Sequence, residues 1–411
     1  MKHKPYVRLY HLKLSLLVCS LVIFGLGCVS DADSPYDAGI AGEVAGQIIE
    51  DAMVDDLAGM TAGDGSSAAG NEVPVEINPP RQVSVATYNV QNLFDFINDP
   101  EHDEGEYTPN VGSWSRSTYE AKVQAIAEIL ILISADIVTL QEVESEEVLN
   151  DLAKAVKDKG GFDYQYRATS PSRDPRGIAL GVLSTYPFDR EIGRPISTEV
   201  ACSNGESLGG SRPEARPVYE INFWSDGSGG GGGGGSQSLT LLVNHWKSRV
   251  SGDYPCQVRE HHRRGALLIK DLLQGWFGEE NERSVIVLGD FNAEESEPSL
   301  STEINAYLNP AEVSPNHALY NVWGELGVTA SSANNATNST YRFEEQWFRL
   351  DHIMITKPML RSGNGAWKLS HFEVIREARL FRNGSPYSWS SQRNEGFSDH
   401  LPLKISLTFS Y

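Results

Sequence analysis

Six apolar stretches in this chain run straight into small clusters of polar residues, and that pattern limits the fold more than any other feature. VSVATY (83–88) leads to Asn89, Gln91 and Asn92, and DIVTL (136–140) leads to Gln141 and Glu142. LTLLV (239–243) leads to Asn244, His245 and Lys247, and SVIVLG (284–289) leads to Asp290 and Asn292. FRL (348–350) leads to Asp351 ahead of HIMIT, and FSDHLPL (397–403) carries Asp399 and His400 before a last apolar run. Short β-branched runs of this kind read as buried strands. Helical periodicity appears between some of them, in YEAKVQAIAEILILI (119–133), EEVLNDLAKAVKDKG (146–160) and REHHRRGALLIKDLLQGWF (259–277). IALGVLSTYPF (178–188) and PVYEINFWS (217–225) add further strands. The mixture indicates an α/β domain whose sheets are covered by helices. In such domains the loops at one sheet edge build the site while the strands supply rigidity.

GDFN shows the logic at closest range. Val285, Ile286, Val287 and Leu288 form a fully buried strand, and Gly289 breaks the pattern. Asp290 and Asn292, two apart in extended chain, then project to one side. A turn following the strand would also account for such a pair.

The residue types suit metal-assisted hydrolysis of a phosphate ester. Mg²⁺ takes oxygen ligands, often from one or two carboxylates, with waters and phosphate oxygens completing its shell. Glu142 is a ligand of that kind, and Mn²⁺ or Ca²⁺ are the alternatives to Mg²⁺. Asn side chains donate hydrogen bonds to phosphate oxygens without the repulsion that more carboxylates would add. A histidine with a near-neutral pKa can take a proton from water while a neighbouring Asp fixes its tautomer. No His/Cys spacing marks a zinc site.

Charge narrows the substrate question. The chain of 411 residues carries a formal −21, unevenly spread. Residues 29–80 hold eleven Asp or Glu and no Lys or Arg, whereas residues 81–411 hold 30 Lys plus Arg against 44 Asp plus Glu. A general nucleic-acid binder is usually basic. Any polyanion must therefore be met at a local site with a metal's help.

The first residues read as an export signal: Lys2, Lys4, Arg8 and Lys13 precede the apolar run LSLLVCSLVIFGLG. That run is too short for a spanning helix of about 20 residues. Its end, GLGC, resembles a bacterial lipoprotein cleavage box, which would make Cys28 the lipidated first residue of an outer-membrane or cell-surface lipoprotein. Gly25 departs from that pattern, and an ordinary signal peptide cut nearby is the other reading. Residues 29–80 are Ala/Gly/Asp-rich, nearly without aromatics, and read as a flexible acidic tether. Residues 81–411 form the catalytic domain, interrupted at 227–238 by a glycine-rich surface loop. Cys202 and Cys256 remain, either as one disulfide of an oxidising compartment or as two separate thiols.

YNVQNLFD, LQEVE, NHWKSR, GDFN, RLDHI and FSDH, in this order, resemble the endonuclease/exonuclease/phosphatase superfamily, which includes DNase I, over about residues 83–409. The resemblance implies a DNase I-like four-layer fold: a two-sheet β-sandwich flanked by helices. It implies Asn89 and Glu142 at the metal, and Asp290 and Asn292 around the scissile phosphate. It implies His245 as a phosphate-stabilising or proton-donating group and Asp399 as a further metal or orienting carboxylate. His400 is then the general base, oriented by Asp351. NVQNLFD and NHWKSR are closest to secreted bacterial nucleases, and Arg176 matches an Arg-Gly of that subgroup. Lys247, Arg249, Arg259, Arg263 and Arg264 are placed to meet phosphates. The polyglycine loop and the acidic balance are the departures.

The expected protein is thus an exported, monomeric, Mg²⁺-dependent nuclease, touching a membrane only through its lipid. Two rivals stand beside it: a phospholipid or sphingomyelin head-group phosphodiesterase, and an inactive surface-binding protein on the same scaffold. An exposed aromatic hairpin would favour the lipid enzyme, and the sequence displays none. Asn92 reads as a turn residue, Glu144, Glu146 and Glu147 as plain exposed carboxylates, and His261, His262 and His352 as structural.

Overall fold

The computed structural model describes residues 79–409 apart from 110–111, 173, 197–215, 225–236, 250–255, 278–282, 315–317 and 361–365. The export signal with Cys28, the tether up to residue 78, Cys202 and the glycine run lie outside the described residues. The strands are β1 (Gln82–Leu93), β2 (Ile137–Val143), β3 (Tyr166–Thr169), β4 (Ala179–Ser184), β5 (Arg190–Arg194), β6 (Val218–Phe223), β7 (Leu239–His245) and β8 (Ser284–Asp290). They continue with β9 (Ala306–Tyr307), β10 (Leu319–Asn321), β11 (Tyr341–Phe343), β12 (Gln346–Phe348), β13 (Asp351–Thr356), β14 (Trp367–Val374), β15 (Phe381–Arg382), β16 (Ser385–Pro386) and β17 (Leu403–Phe409). Among the described residues three α-helices accompany them: α1 (Arg116–Ile133), α2 (Glu146–Asp158) and α3 (Cys256–Trp276).

Six strands form one mixed sheet in the order β14-β17-β1-β2-β4-β3, and seven form another in the order β5-β6-β7-β8-β13-β10-β9. Side-chain alternation divides each strand between two cores. Val83, Val85, Leu180 and Val182 of the first sheet meet Leu241, Val243, Ile286 and Ile353 of the second between the sheets. The opposite face of the first sheet, with Ala86, Val138, Leu140 and Leu183, packs against Ile126 and Leu130 of α1 and Leu149 and Leu152 of α2. Leu242, Val285, Val287 and Met354 on the second sheet's outer face pack against Ala266, Ile269 and Leu273 of α3. The expected two-sheet sandwich flanked by helices is the fold observed. Among the described residues, no helix is long and apolar enough to cross a membrane.

Local chemistry sets the helix ends. Ser115 caps α1 by accepting from the Thr118 N–H, and Ser145 caps α2 by accepting from the Val148 N–H. Each satisfies a donor that the first helical turn leaves without a partner. Glu146 and Glu147 are exposed in the first turn of α2, where acidic groups complement the helix dipole.

Two pairings carry the site. Strands β1 and β2 run parallel with Asn89 beside Gln141, and β7 and β8 run parallel with His245 beside Asp290. Strand β13 starts where β8 ends and runs against it, so Asp351 sits beside Asp290. Parallel neighbours finish at the same edge, which gathers four strand ends into two pairs.

Where the apolar pattern breaks at Gly289 the strand does not: β8 continues through it to Asp290. Gly289 has φ +131°, and a Cβ there would lie 2.0 Å from the Asn244 carbonyl oxygen. The glycine lets β8 pass hard against β7, and it continues the strand because the two backbones approach too closely for any side chain.

Candidate active site

His400 stands at the centre. It is 6% exposed, and its Nδ1 donates to Asp351 Oδ2 at 2.8 Å, which leaves Nε2 as the proton acceptor. Nε2 faces Asp290 Oδ2 at 3.9 Å. Burial pushes the imidazole's pKa down, but the Asp351 and Asp290 carboxylates outweigh it and hold the group well above its ordinary value. Burial likewise raises the Asp290 carboxyl, with His400 opposing and Asp351 adding to the shift. One proton is therefore held between an imidazole and carboxylates that all compete for it.

Asp290 is fixed from several sides. Asn89 Nδ2 donates to its Oδ2 at 3.0 Å, and the Asn292 backbone N–H donates to its Oδ1 at 2.9 Å. Asn292 has φ +47°, so the pair closes an Asx turn and does not share a face of extended chain. The turn also anchors Asn292, whose Nδ2 donates to the Trp246 carbonyl at 3.0 Å.

His245 Nε2 lies 3.5 Å from Glu142 Oε1 and 3.7 Å from Asp290 Oδ2. Burial lowers its pKa well below the ordinary value, and the Arg216, Arg176 and His400 cations add to that. A neutral imidazole can hydrogen-bond a phosphate oxygen, but it is a poor proton donor. His245 is held against Glu142 and Asp290 and is not among the residues that line the cavity described below.

Glu142 and Asn89 are oriented by an irregular turn of chain within β1, where its register against β2 shifts between Asn89 and Leu93. Gln91 and Asn92 both lie in the left-handed region, at φ +55° and +56°. The Gln91 N–H donates to Asn89 Oδ1 at 3.0 Å, and the Asn92 N–H donates to Glu142 Oε2 at 2.8 Å. Asn92, expected as a turn residue, lies within β1 at this register shift and forms part of the site's wall. Asp399 completes the acidic side, and burial raises its carboxyl, with Glu142 adding.

The cavity that these groups enclose measures about 450 Å³ and takes in Asn89, Asn92, Glu142, Asp290, Asn292, Asp399 and His400. Its opposite wall is apolar: Tyr341, Phe343, Phe348 and Leu350, from the β11–β12 hairpin and the segment after it. The Tyr341 ring lies 4.8 Å from the His400 ring at 36°. Phe343 is 43% exposed at the rim. This aromatic hairpin is a feature that the sequence reading missed. The cue was Tyr341 and Phe343 two apart, alternating with Arg342 on one face of a strand.

The basic residues divide. Arg249 lines the cavity and pairs with Glu297. Arg176 is not among the lining residues: its guanidinium is shared between Asp174, at 3.1 Å, and Asn92 Oδ1, at 2.9 Å. Arg176 adjoins the cavity through Asn92, to which it donates. Lys247 is likewise absent from the lining, and Arg263 pairs with Glu260 and Glu303. Arg216, not anticipated, pairs with the buried Asp174 and donates to the Trp246 carbonyl at 2.9 Å.

Three smaller readings also resolve. Glu144 is not a plain exposed carboxylate: it is half-buried, accepts from the Asp95 N–H at 2.5 Å, and burial pushes it up to about 8. His352 and His262 are buried and bonded to the backbone carbonyls of Ala293 and Lys247. Cys256, at the start of α3, is disulfide-bonded.

The donor set fits a hard divalent cation. Glu142, Asp290 and Asp399 bring three carboxylates to one cavity, and burial raises both aspartates, as expected where negative charge lacks compensation. Asp290, Asp351 and His400 form the tightest cluster of such groups among the described residues. Beside that cluster, Glu142, Asn89 and Asp399 offer further oxygen ligands to the same cavity.

The protein is a phosphoester hydrolase of the two-sheet α/β class. Its sequence matches the model of the Endonuclease/Exonuclease/phosphatase family over residues 84–193 and 232–408, and the chain belongs to that family. No curated protein matches it. Among solved structures it is similar to an endonuclease/exonuclease/phosphatase from Bacteroides vulgatus at 16% identity, covering 80% of this chain and 99% of that one with a TM-score of 0.46. It is also similar to a mannosyl-6-phosphatase from Bacteroides thetaiotaomicron at 16% identity, covering 80% and 100% with a TM-score of 0.46. A third is D. rerio TDP2 complexed with a single-strand DNA product, at 12% identity, covering 80% and 100% with a TM-score of 0.46.

Proposed function

We propose that the protein is an exported, Mg²⁺-dependent nuclease that hydrolyses phosphodiester bonds of DNA or RNA. The observation that carries the reading is His400, held by Asp351 with Nε2 turned toward Asp290 in a cavity that also holds Glu142 and Asn292. His400 Nε2 takes a proton from water as the water oxygen bonds to phosphorus, and the bond to the leaving oxygen breaks. Asn89, through its second amide hydrogen, and neutral His245 donate hydrogen bonds toward phosphate oxygens, while Asn292, whose amide is taken up by Trp246 and Asp290, holds Asp290 in place. A divalent cation held by Glu142, Asn89 and Asp399 would neutralise the negative charge that develops there.

Phe343 at the rim gives the alternative, a phospholipid or sphingomyelin head-group enzyme, its one structural argument. Glu344 and Glu345 form the tip of the same hairpin, and their charge opposes docking on an anionic lipid surface. A flat apolar wall beside the base also suits a nucleobase, which stacks on aromatic rings.

The test is nicking of supercoiled plasmid by the full-length chain, with Mg²⁺ and with EDTA. Nicking that needs Mg²⁺ and disappears in His400→Ala supports the reading. An intact plasmid, with sphingomyelin cleaved under the same conditions, replaces it by the lipid enzyme. No hydrolysis of any phosphodiester would leave the inactive surface protein. Export rests on the sequence of the first residues, and loss of labelled palmitate in Cys28→Ser would test the lipid anchor.

A further inference from the structure

Lys122 has no part in the reaction described above, yet it lies fully buried on the apolar face of α1, at 0% exposure. A lone ammonium in such a place is costly unless its hydrogen bonds are satisfied. Lys122 Nζ donates to the carbonyl oxygens of Gln91 and Asn92, the latter at 3.1 Å. These residues form the consecutive left-handed pair at φ +55° and +56°. Side-chain-bearing residues rarely adopt that region, and two in succession need an external hold.

The two peptide groups divide their work. Their carbonyls point to Lys122, while their N–H groups hold Asn89 Oδ1 at 3.0 Å and Glu142 Oε2 at 2.8 Å. Gln91 Oε1 accepts from the Trp389 N–H at 2.8 Å and ties the turn to the far side of the site. We propose that Lys122 is a positioning residue, which locks the left-handed turn at Gln91 and Asn92 and so sets Asn89 and Glu142 for a divalent cation. The inference rests on the reading of those two residues as cation ligands.

A different role for the same lysine makes the opposite prediction. If Lys122 served only as a positive charge near Glu142 and Asp399, its removal would strengthen the field that attracts a cation, and binding would tighten. If it holds the turn, removal weakens binding, because residues that orient metal ligands typically carry about 10-fold or more in affinity.

Mn²⁺ binding to the full-length chain, measured by calorimetry, separates the two. Lys122→Met is compared with wild type and with Ile126→Val, a core substitution on the same helix. The expected result is binding weakened about 10-fold or more in Lys122→Met, with circular dichroism unchanged and Ile126→Val binding as wild type does. Unchanged or tighter binding in Lys122→Met overturns the proposal. Equal weakening in Ile126→Val also overturns it, since any loosening of α1 would then suffice. Should Lys122→Met fail to fold, Lys122→Leu, which likewise removes both the charge and every donor, is judged by the same sign. Absence of Mn²⁺ binding by wild type would instead fell the cation reading itself.

Discussion

His400 can serve as a base only when its imidazole is neutral, and the carboxylates around it work against that. Its pKa stands above the ordinary value because Asp351 and Asp290 outweigh burial. The rate should therefore rise with pH as His400 loses its proton. Asp351→Asn removes the strongest of the charges that favour the imidazolium, so the acid limb of kcat/KM should move to lower pH, by roughly one unit or more. The maximal rate should fall about 10²–10⁴-fold as the tautomer is lost. A pH–rate profile checks both, and an acid limb that stays in place would remove His400 as the titrating base. Much of this site was legible in the sequence, because each polar group adjoins an apolar run that has no local use for it. Lys122 was legible too, though unread: it lies three residues from Tyr119 and four from Ile126, on the stripe that faces the core. Arg216 and Asp174 were not legible, since each stands in a loop and acquires its role only when the loops meet.

At the scale of elements, the site depends on how closely β7 and β8 approach. Gly289→Ala places a Cβ against the Asn244 carbonyl and forces φ +131° on a residue that disfavours it. Relief requires the strands to part, which would pull His245 from Asp290. The substitution should destabilise the fold by more than about 3 kcal/mol, seen as a large drop in Tm or as loss of soluble protein. A near-native Tm would show that the strand pair yields easily. The long central strands were readable because β1, β2, β7, β8 and β13 are mostly buried and each carries a run of apolar or β-branched residues. The pieces not read are different in kind. Strand β14 lies at a sheet edge, half-buried and interrupted by a bulge near His371, so its pattern is mixed. Strands β11 and β12 have only three residues each, too few for a period to show.

Across the whole molecule the unusual property is charge. On the nuclease reading, an enzyme for a polyanion would here be an acidic chain, with 44 acidic against 30 basic residues in the part from residue 81 onward. Several of those bases are neutralised: Arg176 by Asp174, Arg249 by Glu297, and Arg349 by Glu295. A nuclease that grips its substrate with a basic groove loses affinity steeply as salt rises. This protein should do the reverse. Like-charged partners meet faster when counterions screen them, and the screening length shrinks from about 30 Å at 0.01 M to about 10 Å at 0.1 M. Over that interval kcat/KM on DNA should rise a few-fold, with the divalent cation held constant. Hydrolysis of bis(p-nitrophenyl) phosphate, which carries a single charge, should change little. Initial rates on both substrates across the same salt series decide the matter. A steep fall on DNA alone would mean that Lys247, Arg249 and their neighbours form a local groove strong enough to override the acidic surface.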